Sequence, residues 1–348
     1  MGSSTASADI ISKQSARASL LELLAPITGE LSRVEELLAA QVAEFDGGIG
    51  GYVEYVLGGT GKRLRPSLAL LAGGATGRVR EEHVRLGVIV ELIHIATLVH
   101  DDVLDEAKLR HGSATANSRW GNDISVLLGD CLFAHALKLA ASYPTTVVCQ
   151  RVSEATNTVC SGEILQTQKR FDLDLSFDEY LALIKMKTGA LFAVSCELGA
   201  GLNAASPTVV KSLADYGENL GVAYQIFDDC VDIFGQERSA GKSLGTDVKK
   251  GKLTLPYLLL LHQSPARREQ LGQTIFRDAP DDRRELLALV AGNGVMHKSQ
   301  VTLDTFIARA HQSLAGLPAN RFTQTLSDLL GYLAQQSRGL LTPAECAT

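Results

Sequence analysis

The chain has 348 residues, 45% hydrophobic, 21% charged and 5% aromatic, with a mean hydropathy of +0.08 and a formal net charge of −6. This is the composition of a soluble globular protein long enough to bury a large core, as one big domain or two of ordinary size. The negative balance argues against a general nucleic-acid-binding face. Cysteines at 131, 149, 160, 196, 230 and 346 form no CxxC pair, and most lie in apolar helical text, so buried thiols in a reducing, cytoplasmic compartment are expected.

Residues 1–15 read as a flexible tail. They lack the basic and apolar segments of a signal peptide, Ala6 breaks a myristoylation pattern, and Cys346 stands too late for a prenylation box. Beyond the tail nearly every segment reads as helix, and no run alternates strictly enough for a strand. Breaks are expected at 58–61 (GGTG), 73–77 (GGATG), 142–145, 201–207 and 235–252. Gly61-Lys-Arg-Leu-Arg-Pro66 opens a helix and presents Lys62, Arg63 and Arg65 beside helix-start amides, a setting that favours an anion. The apolar stretch at 84–99 contains Arg85, Glu91 and His94, which suits a core helix and not a membrane span. Ser176-Phe-Asp-Glu179 is a capping box, and Ser206-Pro207 supplies an N-cap and first-turn proline for the next long helix. No break is long enough for a linker, so the reading is one all-α domain over 1–348.

Asp101, Asp102 and Asp105 follow the apolar stretch at i, i+1 and i+4, which puts Asp101 and Asp105 on one helix face. Such a pair can hold one divalent cation, and oxygen ligands suit Mg²⁺. A single DDxxD is as well explained by a solvated helix end. The spacing repeats at Asp228, Asp229 and Asp232, again at the end of an apolar helical run. Two crowded acid clusters on core helices need cations between them, and Mg²⁺ commonly brings a phosphate-bearing ligand. Cationic groups accompany both clusters: Arg110 after the first, and Lys242, Lys249, Lys250 and Lys252 in the glycine-rich stretch after the second. His94, Thr97, Leu98, Asp101 and Asp105 form one stripe, where His94 can donate to a phosphate. Neither Gly-Lys pair is a nucleotide P-loop, since Val56 and Gln236 occupy the position that needs glycine. With no nucleophile triad and no HExxH, the pattern fits metal-assisted loss of a diphosphate.

GKRLRP, LIHIATLVHDDVLDEAKLRHG, EILQ, KTGALF, YQIFDDCVD and GKSLGTDVKKGKLTLP occur in an order that resembles the trans-isoprenyl diphosphate synthases, the polyprenyl synthetase family. The resemblance runs from about Gly58 to Pro256. It implies an all-α isoprenoid synthase fold, a homodimer, and three Mg²⁺ ions with substrate bound. Asp101, Asp105 and Asp228 would hold the metal, with Asp102, Asp229 and Asp232 completing the motifs. Arg110, Lys187, Lys242 and Lys252 would grip an allylic diphosphate, Thr188 and Gln225 would line the reacting end, and Lys62, Arg65 and His94 would bind isopentenyl diphosphate. His111 departs from the family's usual second arginine and should weaken isopentenyl diphosphate binding. Small residues at Ala96 and Thr97 imply a product longer than C20, with Phe133 among the side chains that stop growth. A short-chain synthase, a diphosphate-ionising cyclase and a non-catalytic partner subunit are the alternatives. No nucleic-acid partner and no transmembrane segment are expected.

Overall fold

The structure, a computed structural model, describes residues 19–59, 61–110, 112–235, 244–275, 287–290 and 293–340. The expected N-terminal tail, His111, Lys242 and Cys346 lie outside the described residues. The helices, in chain order, are α1 (Thr28–Ala40), α2 (Gly50–Leu57), α3 (Leu64–Thr76), α4 (Glu81–Leu104), α5 (Ala116–Trp120), α6 (Asn122–Ala141), α7 (Val147–Gln168) and α8 (Phe177–Ile184). They continue with α9 (Ala190–Gly201), α10 (Pro207–Phe234), α11 (Thr246–Lys249), α12 (Leu255–Leu261), α13 (Pro265–Ile275), α14 (Val295–Ser313) and α15 (Arg321–Gly339). The fold is all-α, as the composition and periodicity indicated.

Helix α4 is the central element. Its residues 86–93 are buried on every side, so its sequence is apolar all round and not amphipathic. It packs along α6 and α3, whereas α10 packs along α9 and α14. Helix α9 also packs on α3, so α3 and α9 bridge the two helices that end in acid clusters. The two do not themselves pack extensively, and a cavity opens between them.

Both predicted caps are present. Ser176 accepts from the Glu179 amide while Glu179 reaches back to Ser176, and Ser206 accepts from the Val209 amide ahead of Pro207. Four local expectations differ. The break expected at 73–77 falls only at Gly77, because α3 runs through Gly73, Gly74, Ala75 and Thr76. A Cβ on Gly73 would lie 2.3 Å from His83 and one on Gly74 2.4 Å from Phe322, so these glycines admit neighbouring rings and do not end the helix. The capping box at Ser176–Glu179 reads as opening one helix through DEYLALIKMKTGALFAVSCELGA, residues 178–200. That helix is instead interrupted by a π turn, Lys185–Gly189, between α8 and α9. A two-residue hairpin pairs Leu109 with Ala114 and Arg110 with Ser113, too short to leave an alternating pattern. Of the described cysteines only Cys196 and Cys230 are buried, while Cys131 and Cys160 are exposed on helix surfaces.

Among the described residues one helix, α6, is long and apolar enough to cross a membrane by length and composition. It packs along α4 and leaves Val126 and Leu127 exposed on its outer face.

Candidate active site

The cavity between α4 and α10 has a volume of about 2800 Å³. Ordinary small-molecule sites enclose about 300–1,000 Å³. Its wall carries acidic and basic side chains together with Thr97, Leu98, Phe133, Val159 and Leu183.

At the end of α4 the three aspartates have different surroundings. Asp101 faces the cavity with Lys187 Nζ 3.8 Å away. Burial pushes its carboxyl up, helped by Glu163, and outweighs the pull of Lys187. Asp102 is buried and receives Arg110 through Nε at 2.9 Å and Nη2 at 2.8 Å. The hairpin after α4 folds Arg110 back onto this carboxylate, whose attraction outweighs burial and raises the guanidinium. Asp105 is the C-cap of α4 and accepts from Lys252 Nζ at 2.8 and 3.0 Å and from Arg170 Nη2 at 3.3 Å. Burial would raise Asp105, but Lys252, Lys250 and Lys187 outweigh it and hold the carboxyl below its ordinary value.

On α10, Asp228 faces the cavity. Asp229 is buried, and its two oxygens accept from Tyr180 Oη at 2.6 Å and Gln225 Nε2 at 2.9 Å. Burial, then the charge of Asp247, pushes Asp229 up, while the two hydrogen bonds pull it back. Asp232 is 1% exposed behind the cavity wall, near the Asp247 amide at 3.5 Å. The six motif aspartates are therefore not equivalent: all but Asp232 line the cavity, Asp102, Asp105 and Asp229 are held by side-chain donors of the protein, and Asp232 lies behind the wall.

Among the described residues no three His, Cys, Asp or Glu side chains form a metal cluster on their own. The donor set is nonetheless all hard oxygen, from two facing helices, and Mg²⁺ characteristically takes one or two carboxylates and completes its shell with water and phosphate oxygens. The residues fit such an ion.

The cationic groups also separate. Lys187 lies in the π turn, ion-paired with Glu163 and 3.1 Å from Gln166 Oε1. Burial opposes its charge, but Asp101 and Glu163 prevail and raise it. Thr188, the next residue, donates to Gln225 Oε1 at 2.7 Å. Lys252 is 8% exposed. Lys62 lines the cavity 5.6 Å from the Tyr224 ring, and Arg65 is half-buried, 4.8 Å over the Phe192 ring. Burial lowers Arg65 to about 10, so it stays charged, and its Nε has no hydrogen-bond partner among the described residues. His94 lines the same cavity. Arg63 also lines the cavity, but its guanidinium is taken up by carboxylates of the protein. Left-handed at φ 50° as the N-cap of α3, it turns to Glu35 at 2.6 Å and Glu91 at 2.8 Å, so it anchors the segment.

Of the side chains expected to set product length, Thr97 and Phe133 line the cavity, with the Phe133 ring 5.6 Å from that of His100. Ala96 is fully buried off the cavity wall, one residue out of phase with Thr97 on α4. Sequence reasoning gave no role to Glu163, Gln166, Arg170 or Tyr180. Glu163 and Gln166 stood in EILQ, three residues apart on one helix face, and that spacing was the available signal. Arg170 comes from the loop after α7, which is clasped to the loop before Lys252. Phe171, at φ 62°, donates its amide to Gly251 O at 2.8 Å, and its ring lies where a Cβ on Gly251 would be.

The family profile described as Polyprenyl synthetase matches residues 49–291. The octaprenyl diphosphate synthase of Escherichia coli (strain K12) is 39% identical over 288 residues, covering 82% of this chain and 88% of that one. A decaprenyl diphosphate synthase from Rhodobacter capsulatus superposes with a TM-score of 0.85 at 32% identity, covering 92% and 99%. A polyprenyl synthase from Caulobacter crescentus CB15, solved with calcium and isoprenyl diphosphate, gives a TM-score of 0.86 at 32% identity, covering 90% and 97%. With two acid motifs facing one cavity, basic groups among them and this likeness along nearly the whole chain, the protein belongs to the polyprenyl synthetase family.

Proposed function

We propose that the protein is a Mg²⁺-dependent trans-prenyltransferase. It joins an allylic prenyl diphosphate head-to-tail to isopentenyl diphosphate, releases diphosphate and builds products longer than C20. The observation that carries this reading is a single cavity that combines two acid clusters, buried cations and an apolar wall in a volume of about 2800 Å³. The octaprenyl and decaprenyl synthases among the relatives support the longer product, and the calcium and isoprenyl diphosphate of the Caulobacter enzyme support the ligand class.

Asp101, Asp105 and Asp228 would hold Mg²⁺, which when bound supplies the positive charge that makes diphosphate a good leaving group. Lys187, Lys252 and Arg110 neutralise the leaving diphosphate, each ion-paired with an aspartate or glutamate beside it. Lys62, Arg65 and His94 hold isopentenyl diphosphate so that its alkene faces the allylic carbon, and the apolar wall excludes water that would quench the cation. Thr188 and Gln225 stand at the reacting end. The alkene carbon bonds to the allylic cation, and the resulting cation loses a proton to the departing diphosphate. Catalysis is positioning and charge stabilisation, which matches the lack of a nucleophile in the sequence.

A homodimer is the proposed assembly, with the exposed apolar face of α6 in its interface. Light scattering at micromolar concentration checks it, and a monomer there overturns it. The activity is tested by Mg²⁺-dependent incorporation of labelled isopentenyl diphosphate into farnesyl diphosphate. Chains beyond C20 are expected. No incorporation overturns the reading, and a C15 or C20 end product overturns the long-chain assignment.

A further inference from the structure

We propose that Tyr180, acting through Asp229, is the positioning residue for Gln225 and Thr188, and that Asp229 belongs to this strut and not to the metal site. The inference rests on the prenyl-transfer reading of the cavity. Three elements contribute. Tyr180 lies on α8, Thr188 in the π turn and Gln225 with Asp229 on α10. Their polar atoms form one continuous run. Tyr180 Oη donates to Asp229 Oδ2 at 2.6 Å, Gln225 Nε2 donates to Asp229 Oδ1 at 2.9 Å, and Thr188 Oγ1 donates to Gln225 Oε1 at 2.7 Å.

Each link fixes the next. Asp229 is 4% exposed and spends one oxygen on the phenol and the other on the amide, whose carbonyl end then faces Thr188. Gln225 and Asp229 are one helical turn apart, so the backbone alone already brings them within reach. What α10 cannot do alone is stop the Asp229 carboxyl from rotating toward the cavity, and Tyr180 does this from a separate helix. The phenol also interacts with the Leu255 backbone. Leu255 opens α12, where first-turn amides have no partner within the helix. The same stretch carries Lys252 to Asp105 three residues earlier. The strut therefore stands beside the helix start that follows Lys252.

A double-mutant cycle on kcat tests this with the full-length chain, using Tyr180→Phe, Gln225→Leu and the pair. Tyr180→Phe keeps the ring and removes one hydrogen bond. A displaced group at a reacting centre costs about ten- to a hundredfold in rate. The expected result is a kcat reduced about tenfold in Tyr180→Phe, with KM for both diphosphates within about twofold, since the strut is assigned to the reacting end and not to the grip on either diphosphate. In the pair, kcat equals that of Gln225→Leu alone, because the phenol acts only through the amide. Should Tyr180→Phe melt early, Asp229→Asn takes its place in the same cycle with the same expectation. Additive losses, or a change carried by KM, overturn the inference while leaving the activity intact. A wild-type chain without turnover overturns both readings.

Discussion

Replacing Glu91 by glutamine tests the electrostatics of the cationic wall without changing its shape. Glu91 is 3% exposed, its Oε1 is 2.8 Å from Arg63 Nη1, and its charge also acts on Arg65. Loss of one partner from a buried ion pair costs about 3–5 kcal/mol. Burial already pushes the Glu91 carboxyl up against the pull of Arg63 and Arg65, so the lower end of that range applies. With an unfolding entropy of about 2.1 cal/mol/K per residue, a chain of 348 residues shifts its Tm by about 1–1.5 °C per kcal/mol. Glu91→Gln should therefore melt about 4 °C below the wild type. The second part concerns Arg65, which loses its compensating charge in the variant. An anion bound beside it supplies that charge, so inorganic diphosphate should bind the variant more tightly. At a hundred times its Kd a ligand contributes about 2.7 kcal/mol. Scanning calorimetry with and without diphosphate reads both effects, and the ligand-induced rise in Tm should be larger in Glu91→Gln than in the wild type. A Tm within 1 °C of wild type, or an equal or smaller ligand shift, refutes the idea that Glu91 balances Arg65 and that Arg65 receives the anion.

Asp101→Asn should raise Tm at pH 7 while abolishing turnover. Burial raises the folded carboxyl above its unfolded value, so the stability linked to this group is greatest below the unfolded pKa and is lost as pH rises through the folded one; an unchanged or lower Tm contradicts this. Asp105 has the opposite sign, with stability present above its unfolded pKa and lost only as pH falls through its lowered folded value. Phe133→Ala should shift chromatographed products to longer chains by clearing the wall beside His100, and an identical distribution removes Phe133 from length control. Gly251→Ala puts a Cβ 2.5 Å from the Phe171 ring at φ 74°, at about 1–2 kcal/mol for the left-handed backbone alone. It should raise KM for the allylic diphosphate by displacing Lys252, and wild-type kinetics would show that the clasp is dispensable. His111→Arg should lower the KM for isopentenyl diphosphate, and an unchanged KM leaves the histidine without that role.

The sequence by itself determined the helical class, both acid motifs, the caps at Ser176 and Ser206 and the cationic stretches. Each of these is a local pattern: spacing sets which side chains share a helix face, and a cap needs only residues within one turn. Pairing across space was not written locally. GGATG has the composition of a break, yet it stays helical because His83 and Phe322 occupy the space a side chain would take. Arg63 carries the same charge as Lys62 and Arg65, but Glu35 and the buried Glu91, on two other helices, take up its guanidinium. In the acid motifs the spacing is identical, but the partners differ: Arg110 pairs with Asp102, Lys252 and Arg170 with Asp105, and Tyr180 and Gln225 with Asp229. Asp229 and its phenol are 49 residues apart in the chain. Packing of α8 against α10 brings them together, and a carboxylate's partners are decided by that packing, because its own sequence neighbours leave several buried arrangements open.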